Sequence, residues 1–148
     1  MFKFLRSKWL WTKLNRKCSS IPGNEGKWFA AAKSAGLFDK AIELANRSPC
    51  DPNTLARAAR DMASSNPVFA IESGIAALKW LLRGHGYEIT GNDVNFANDQ
   101  TIMAAENAGC KVDIIARIAN LLETERPVNR NISDILVSRL SAESGNVS

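Results

Sequence analysis

Two groups of side chains have types and spacing suited to binding chemistry. Arg57, Arg60, Asp61 and Ser64 recur at three- and four-residue steps, so a helix would present them together, opposite Leu55, Ala59 and Met62. Guanidinium forks match carboxylates bidentately, and this face is a candidate grip for an acidic peptide or a C-terminal carboxylate. Arg57 and Asp61 also have the i, i+4 spacing of an ordinary surface ion pair, contributing about a few tenths of a kcal/mol. The second group lies in residues 1–18, where Lys3, Arg6, Lys8, Lys13, Arg16 and Lys17 occur with no acid among Phe2, Phe4, Leu5, Trp9, Leu10, Trp11 and Leu14. Drawn as a helix, this arm aligns Phe4, Trp11, Leu14 and Cys18 beside Lys3, Arg6, Lys13 and Lys17, while Phe2, Leu5 and Trp9 fall elsewhere. Aromatic, Leu and Lys/Arg content of this kind suits a helix lying on a membrane surface. Lys3, Arg6, Trp9, Trp11, Lys13 and Lys17 are thus the candidate contacts to anionic lipid or to phosphate.

Catalytic chemistry has less to stand on. Cys50 precedes Asp51-Pro52, a helix-start signal, and a helix N-terminus favours a thiolate. With no resolving Cys or second His nearby, a structural thiol is the better expectation. His85 sits between two glycines as a turn residue without partners for acid–base work. Asp93 and Asp99, six apart, do not share a helical face, and no nucleophile elbow, P-loop, dinucleotide turn or zinc-protease motif is present. Cys18, Cys50, Cys110 and His85 are too scattered for a spaced metal site. The expectation is a non-enzyme with no cofactor and no metal.

The charge balance sharpens the contrast between arm and body. Of 148 residues, 19 are Lys or Arg and 15 are Asp or Glu, a formal charge of +4. Six of those bases lie in the acid-free arm, so the remaining 13 face 15 acids and the body is net negative. Nucleic-acid binding therefore ranks third, because only the arm would neutralise phosphates. Arg6 and Lys8 break any secretory apolar core, although a basic, acid-free start also has the composition of a mitochondrial transit peptide. No uncharged apolar run approaches the roughly 18 residues that would span a bilayer. About 70% of the unfolded surface of a chain this long can be buried, enough for a core without disulfide staples.

Stepping along the body, apolar period and punctuation predict seven helices. Trp28, Ala31, Ala32 and Ala35 mark one near 24–35, with Gly36 as its left-handed C-terminal residue. Phe38, Ala41, Ile42 and Ala45 mark a short second helix before Pro49. Asp51-Pro52 and Asn66-Pro67 each supply a cap followed by proline at the first helical position. The helix at 67–83 has Val68, Ile71, Ile75, Leu78 and Leu82 on one side and Phe69, Ala76, Ala77 and Trp80 around most of the rest, with only Glu72, Lys79 and Arg83 as a polar stripe, so it is expected at the centre with neighbours on both flanks and Ile75 in the interior. Helices follow near 92–108 (Val94, Ala97, Thr101, Ala104, Ala108), 111–124 (Val112, Ile115, Ala119, Leu122) and 132–142, divided by Gly109 and Pro127. Tyr87–Thr90 is the one β-like stretch, too isolated to build a sheet. The division expected is an arm at 1–20, a body at 21–126, and a C-terminal helix with tail at 127–148.

Ala30–Ile42 (AAAKSAGLFDKAI) lies over Met103–Ile115 (MAAENAGCKVDII), both passing from small residues through Ala-Gly into a new helix. Such hairpins cannot bury both faces alone and stack side by side. The segment AGLFDKAIELANRSPCDP resembles the tetratricopeptide repeat in Gly36, Phe38, Ala41, Ile42 and Pro52, over about one helix and a half. Residues 22 to about 120 also loosely resemble the C-terminal helical region of larger uncharacterised bacterial proteins, a resemblance that brings no activity with it. The fold expected is all-α, with antiparallel hairpins stacked as a short right-handed solenoid or an irregular bundle. The function expected is a cytoplasmic, non-catalytic helical-repeat module that binds a protein or acidic peptide. The alternative is a peripheral membrane adaptor docking through the arm.

Overall fold

Helix starts and stops fall where the local chemistry puts them. In a computed structural model describing residues 25–47, 50–86, 88–125 and 130–145, the helices are α1 (Glu25–Ser34), α2 (Phe38–Arg47), α3 (Pro52–Met62), α4 (Pro67–Leu82), α5 (Gly91–Ala108), α6 (Lys111–Thr124) and α7 (Arg130–Gly145). No strand occurs among the described residues, and the fold is all-α. Asp51 caps α3 by accepting from the Thr54 N–H at 3.1 Å, and Asn66 caps α4 by accepting from the Phe69 N–H at 3.2 Å. Proline follows each cap, where its missing N–H costs no helical bond. Asp93 reaches back to the Thr90 N–H at 2.7 Å and secures the start of α5.

Three helices end in the same turn. Leu37, His85 and Cys110 donate backbone N–H groups to Ala32, Trp80 and Ala105, with Gly36, Gly84 and Gly109 at φ of 78°, 84° and 73°. That left-handed residue closes the chain over orphan carbonyls, and glycine adopts it without a Cβ penalty. The two similar stretches around Gly36 and Gly109 thus share a turn, which Gly84 shares outside them.

The chain clusters into two compact units, divided between Cys50 and Asp51. In the first, α1 packs on α2. Phe29 and Ala32 of α1 and Ala41, Leu44 and Ala45 of α2 are buried. Trp28 is half-buried, whereas Ala31 and Ala35, expected inward, are exposed. With its bulk at Phe29, α1 is rotated by about one residue from the expected stripe.

In the second unit α4 is the central helix, packed extensively on α3 and α5 and more lightly on α6 and α7. Phe69, Ala70, Ile71, Ala76, Ala77, Leu78, Trp80, Leu81 and Leu82 are all buried. Two expected core residues are not: Val68 is 66% exposed and Ile75 only half-buried. Both belong to the stripe of Glu72, Lys79 and Arg83, because the wide Phe69–Ala76–Ala77–Trp80 side takes the α3 and α5 contacts. A similar rotation affects α6, where Ile114 and Ile118 are buried, Val112 is 61% exposed, Ala119 is exposed and Ile115 and Leu122 are half-buried. In α5, Val94, Ala97, Thr101 and Ala104 are buried as expected, but Ala108 is exposed.

Polar contacts fix the helix directions. Glu72 meets Arg117 and Arg83 meets Glu125, so α4 and α6 run parallel. Asn95 and Asp99 of α5 both meet Arg139 of α7, and a Cβ at Gly91 would lie 3.1 Å from Ile135, so α5 and α7 also run parallel. Asn107 donates to the Ala63 carbonyl beyond the end of α3 at 2.8 Å. Within the second unit consecutive helices therefore alternate in direction, with α5 touching α3 on one flank and α7 on the other. At the centre α4 and α5 approach closely through Gly74, where a Cβ would overlap the Thr101 hydroxyl. That hydroxyl is held by the Ala97 carbonyl at 2.7 Å, and Ser73 is tied to the Leu55 carbonyl of α3 at 2.8 Å.

Candidate functional site

The outward side of α3 forms one wall of a cleft of about 460 Å³, lined by Asp51, Asn53, Arg57, Arg60 and Phe96. Asn53, Arg57 and Arg60 stand at i, i+4 and i+7, one stripe of the helix, while Leu55, Ala56, Ala58 and Ala59 are buried on the other side. Phe96 enters from the first turns of α5, half-buried, and gives the cleft an apolar surface. Asp51 spends its carboxylate on capping, accepting at Oδ2 from the Thr54 N–H at 3.1 Å and hydroxyl at 2.9 Å.

The two arginines are held differently. Arg60 places Nε and Nη2 on a single oxygen, Oδ1 of Asp61, each at 3.0 Å. Arg57 uses only Nε, which donates to the Asn53 carbonyl at 3.3 Å, and it makes no ion pair among the described residues. The i, i+4 pair between Arg57 and Asp61 is replaced by the neighbouring Arg60–Asp61 contact. Arg57 is the exception between Asp51 and Glu125, since Arg83 and Arg117 each grip both oxygens of a glutamate on another segment.

Of the four residues expected together, Arg57 and Arg60 line the cleft, whereas Asp61 and Ser64, both exposed, do not. Asn53 and Phe96 were not anticipated. Asn53 was legible as the residue four before Arg57, but Phe96 is 39 positions further along than Arg57 and reaches the cleft only through helix packing. Lys3, Arg6, Trp9, Trp11, Lys13 and Lys17 lie outside the described residues, as do Pro49, Tyr87 and Pro127.

The nucleophile candidate is buried, and the base candidate lies in a turn. Cys50 is 3% exposed, with Sγ 3.8 Å from the Leu44 carbonyl. His85 closes the turn after α4 with its N–H on the Trp80 carbonyl at 2.9 Å, and its ring meets Trp80 edge-on at 5.3 Å. Trp80, 3% exposed, is also covered by Lys79 at 4.5 Å and Arg83 at 5.1 Å from its ring centre. No group of three or more potential metal ligands converges among the described residues, and no described helix is long and apolar enough to cross a membrane. Comparison with protein-family models, with curated proteins and with solved structures gives no match.

Proposed function

We propose that this chain is a helical-repeat interaction module that binds an acidic segment of a partner protein in the cleft between α3 and α5, and that it catalyses no reaction. The observation that carries this reading is the state of Arg57: its terminal guanidinium nitrogens have no partner among the described residues, beside Arg60 and the half-buried Phe96. A carboxylate on the partner would take the Arg57 fork, and an adjacent apolar side chain would cover Phe96. Charged anchors beside aromatic surface are the usual centres of such contacts. Alternating short helices, the tetratricopeptide-like segment and the shared Gly36 and Gly109 turns support the repeat reading. The test is fluorescence anisotropy with a labelled peptide of alternating glutamate and leucine against its lysine–leucine counterpart. Salt-sensitive binding of the acidic peptide, weakened about tenfold by Arg57→Ala, is expected; equal binding of the two peptides sinks the proposal.

A second reading rests on the arm's six bases, absence of acids and interleaved tryptophans: docking on anionic lipid, with the body recruiting a partner. Vesicles containing phosphatidylserine are then expected to bind the full chain, less so at high salt and less so for Trp9→Ala with Trp11→Ala. Steep salt-dependent binding to DNA or RNA without vesicle binding assigns the arm to phosphate instead.

A further inference from the structure

The α6 helix carries two apolar stripes, and only one of them is covered. Ile114 and Ile118 are buried against the body. Val112, Ile115, Ala119 and Leu122 follow one another at steps of three, four and three residues, the spacing of a seam that pairs with another helix. Val112 is 61% exposed, Ala119 is exposed, and Ile115 and Leu122 are half-buried. Helical register explains the gradation. At about 100° per residue, Ile115 and Leu122 fall between Val112 and Lys111, and Lys111 meets Glu143 of α7 at 3.0 Å. Thus α7 covers one edge of the stripe and leaves the rest open, with the exposed Ala116 beside it.

The packing order shows what fits there. In the second unit α5 packs on α3 and α4, α6 on α4 and α5, and α7 on α5 and α6, so each of these helices lies against the two before it. No helix among the described residues takes the next place, against α6 and α7. The charges on α6 select the occupant. Arg117 is held by Glu72, and Lys111 is held by both Glu106 and Glu143. Asp113 and Glu123 are exposed and make no ion pair among the described residues. They follow Val112 and Leu122 directly, so both lie on the side of the stripe away from α7, ten residues or about 15 Å apart. The only unpaired charges on the helix are therefore acids. A second copy of the chain would bring the same acids to the seam, whereas a basic helix would complement them.

We propose that the outer stripe of α6 seats a basic amphipathic helix of a partner protein. Its apolar side chains cover Val112, Ile115, Ala119 and Leu122, and lysines or arginines along one flank meet Asp113 and Glu123. This seat is separate from the Arg57 cleft, which α6 does not line, and takes a partner of opposite charge.

Fluorescence anisotropy on the full chain tests the seat with two labelled peptides, each about 18 residues long so that a helix can form, and of equal leucine and lysine content. One has leucines at alternating three- and four-residue steps; the other is scrambled to remove that stripe. The striped peptide is expected to bind about tenfold more tightly than the scrambled one. Val112→Asn with Ala119→Gln, both at exposed positions, is expected to weaken it about tenfold. Asp113→Asn with Glu123→Gln is expected to weaken it several-fold at low salt and to remove most of its salt dependence. Unchanged circular dichroism of both double variants assigns these losses to the seat. Equal binding of the two peptides overturns the proposal, as does binding that survives both double variants. A full chain that sediments as a dimer, dissociated by Val112→Asn with Ala119→Gln, also overturns it, because a second copy then occupies the stripe.

Discussion

Arginines on α6 and at the end of α4 do different work from those on α3. Along the α4–α6 seam, Arg117 grips Glu72 at 2.6 and 3.1 Å and Arg83 grips Glu125 at 2.7 and 2.9 Å, each using both carboxylate oxygens. These forks join segments 45 and 42 residues apart and hold two parallel helices in register. On the outer side of α3, Arg60 holds one oxygen of its neighbour Asp61 and Arg57 reaches only a backbone carbonyl one turn back. A satisfied fork is a fastening; an unfilled one beside a cleft is where the carboxylate of the proposed acidic partner would sit.

The contrast breaks most severely if the core beneath both regions is disturbed. Gly74→Val sets a branched side chain against the Thr101 hydroxyl where α4 and α5 approach closely, and loss of soluble, cooperatively unfolding protein is expected in expression trials and circular dichroism. Next in size is a paired substitution on α4. Ile71→Asp puts an unpaired carboxylate at a site 4% exposed and is expected to cost several kcal/mol, whereas Ile75→Asp, one turn on and half-buried, costs about 1 kcal/mol or less in urea titrations. Equal losses mean that the outer stripe of α4 is wrongly assigned.

Smaller effects test the seam itself. Arg117→Ala is expected to lower the thermal midpoint by a few degrees, about 1 kcal/mol, as fits a bidentate but partly solvated pair. The Glu125 carboxyl is held below the usual carboxylate range, chiefly by its hydrogen bonds from Arg83, with attraction to Arg83 and Lys79 adding to these and burial opposing them. A lowered folded-state pKa means that the pair's contribution is fully present above the ordinary value of about 4.5 and is lost as pH falls through the folded value. The stability gap between the unmodified chain and Glu125→Gln is therefore expected to be constant near neutrality and to shrink below that range. A gap independent of pH down to unfolding overturns this account. The smallest effect on stability, within about 0.5 kcal/mol, is expected for Arg57→Ala, which on the proposed function is nonetheless expected to weaken acidic-peptide binding about tenfold. Destabilisation by Arg57→Ala as large as that by Arg117→Ala removes the distinction between fastening and open fork.

Short-range chemistry determined the helices. The caps Asp51-Pro52 and Asn66-Pro67, the left-handed positions Gly36 and Gly109, and the apolar girth of α4 are readable because each depends on residues within a turn or two of one another. The same local periodicity placed Arg57 and Arg60 on one exposed side of α3 and kept Leu55 and Ala59 inside. Helix rotation was decided by packing. A helix with two apolar stripes buries whichever meets its neighbours, and so Ile114 and Ile118 displaced Val112 and Ala119 from the core, while Ile75 joined the polar stripe of α4. The partners of the charged side chains were decided in the same way. Nothing near Arg117 or Arg83 in the chain announces Glu72 or Glu125, and nothing near Arg57 brings Phe96 to its cleft, because contacts across some 40 residues exist only once the helices have chosen their order and direction.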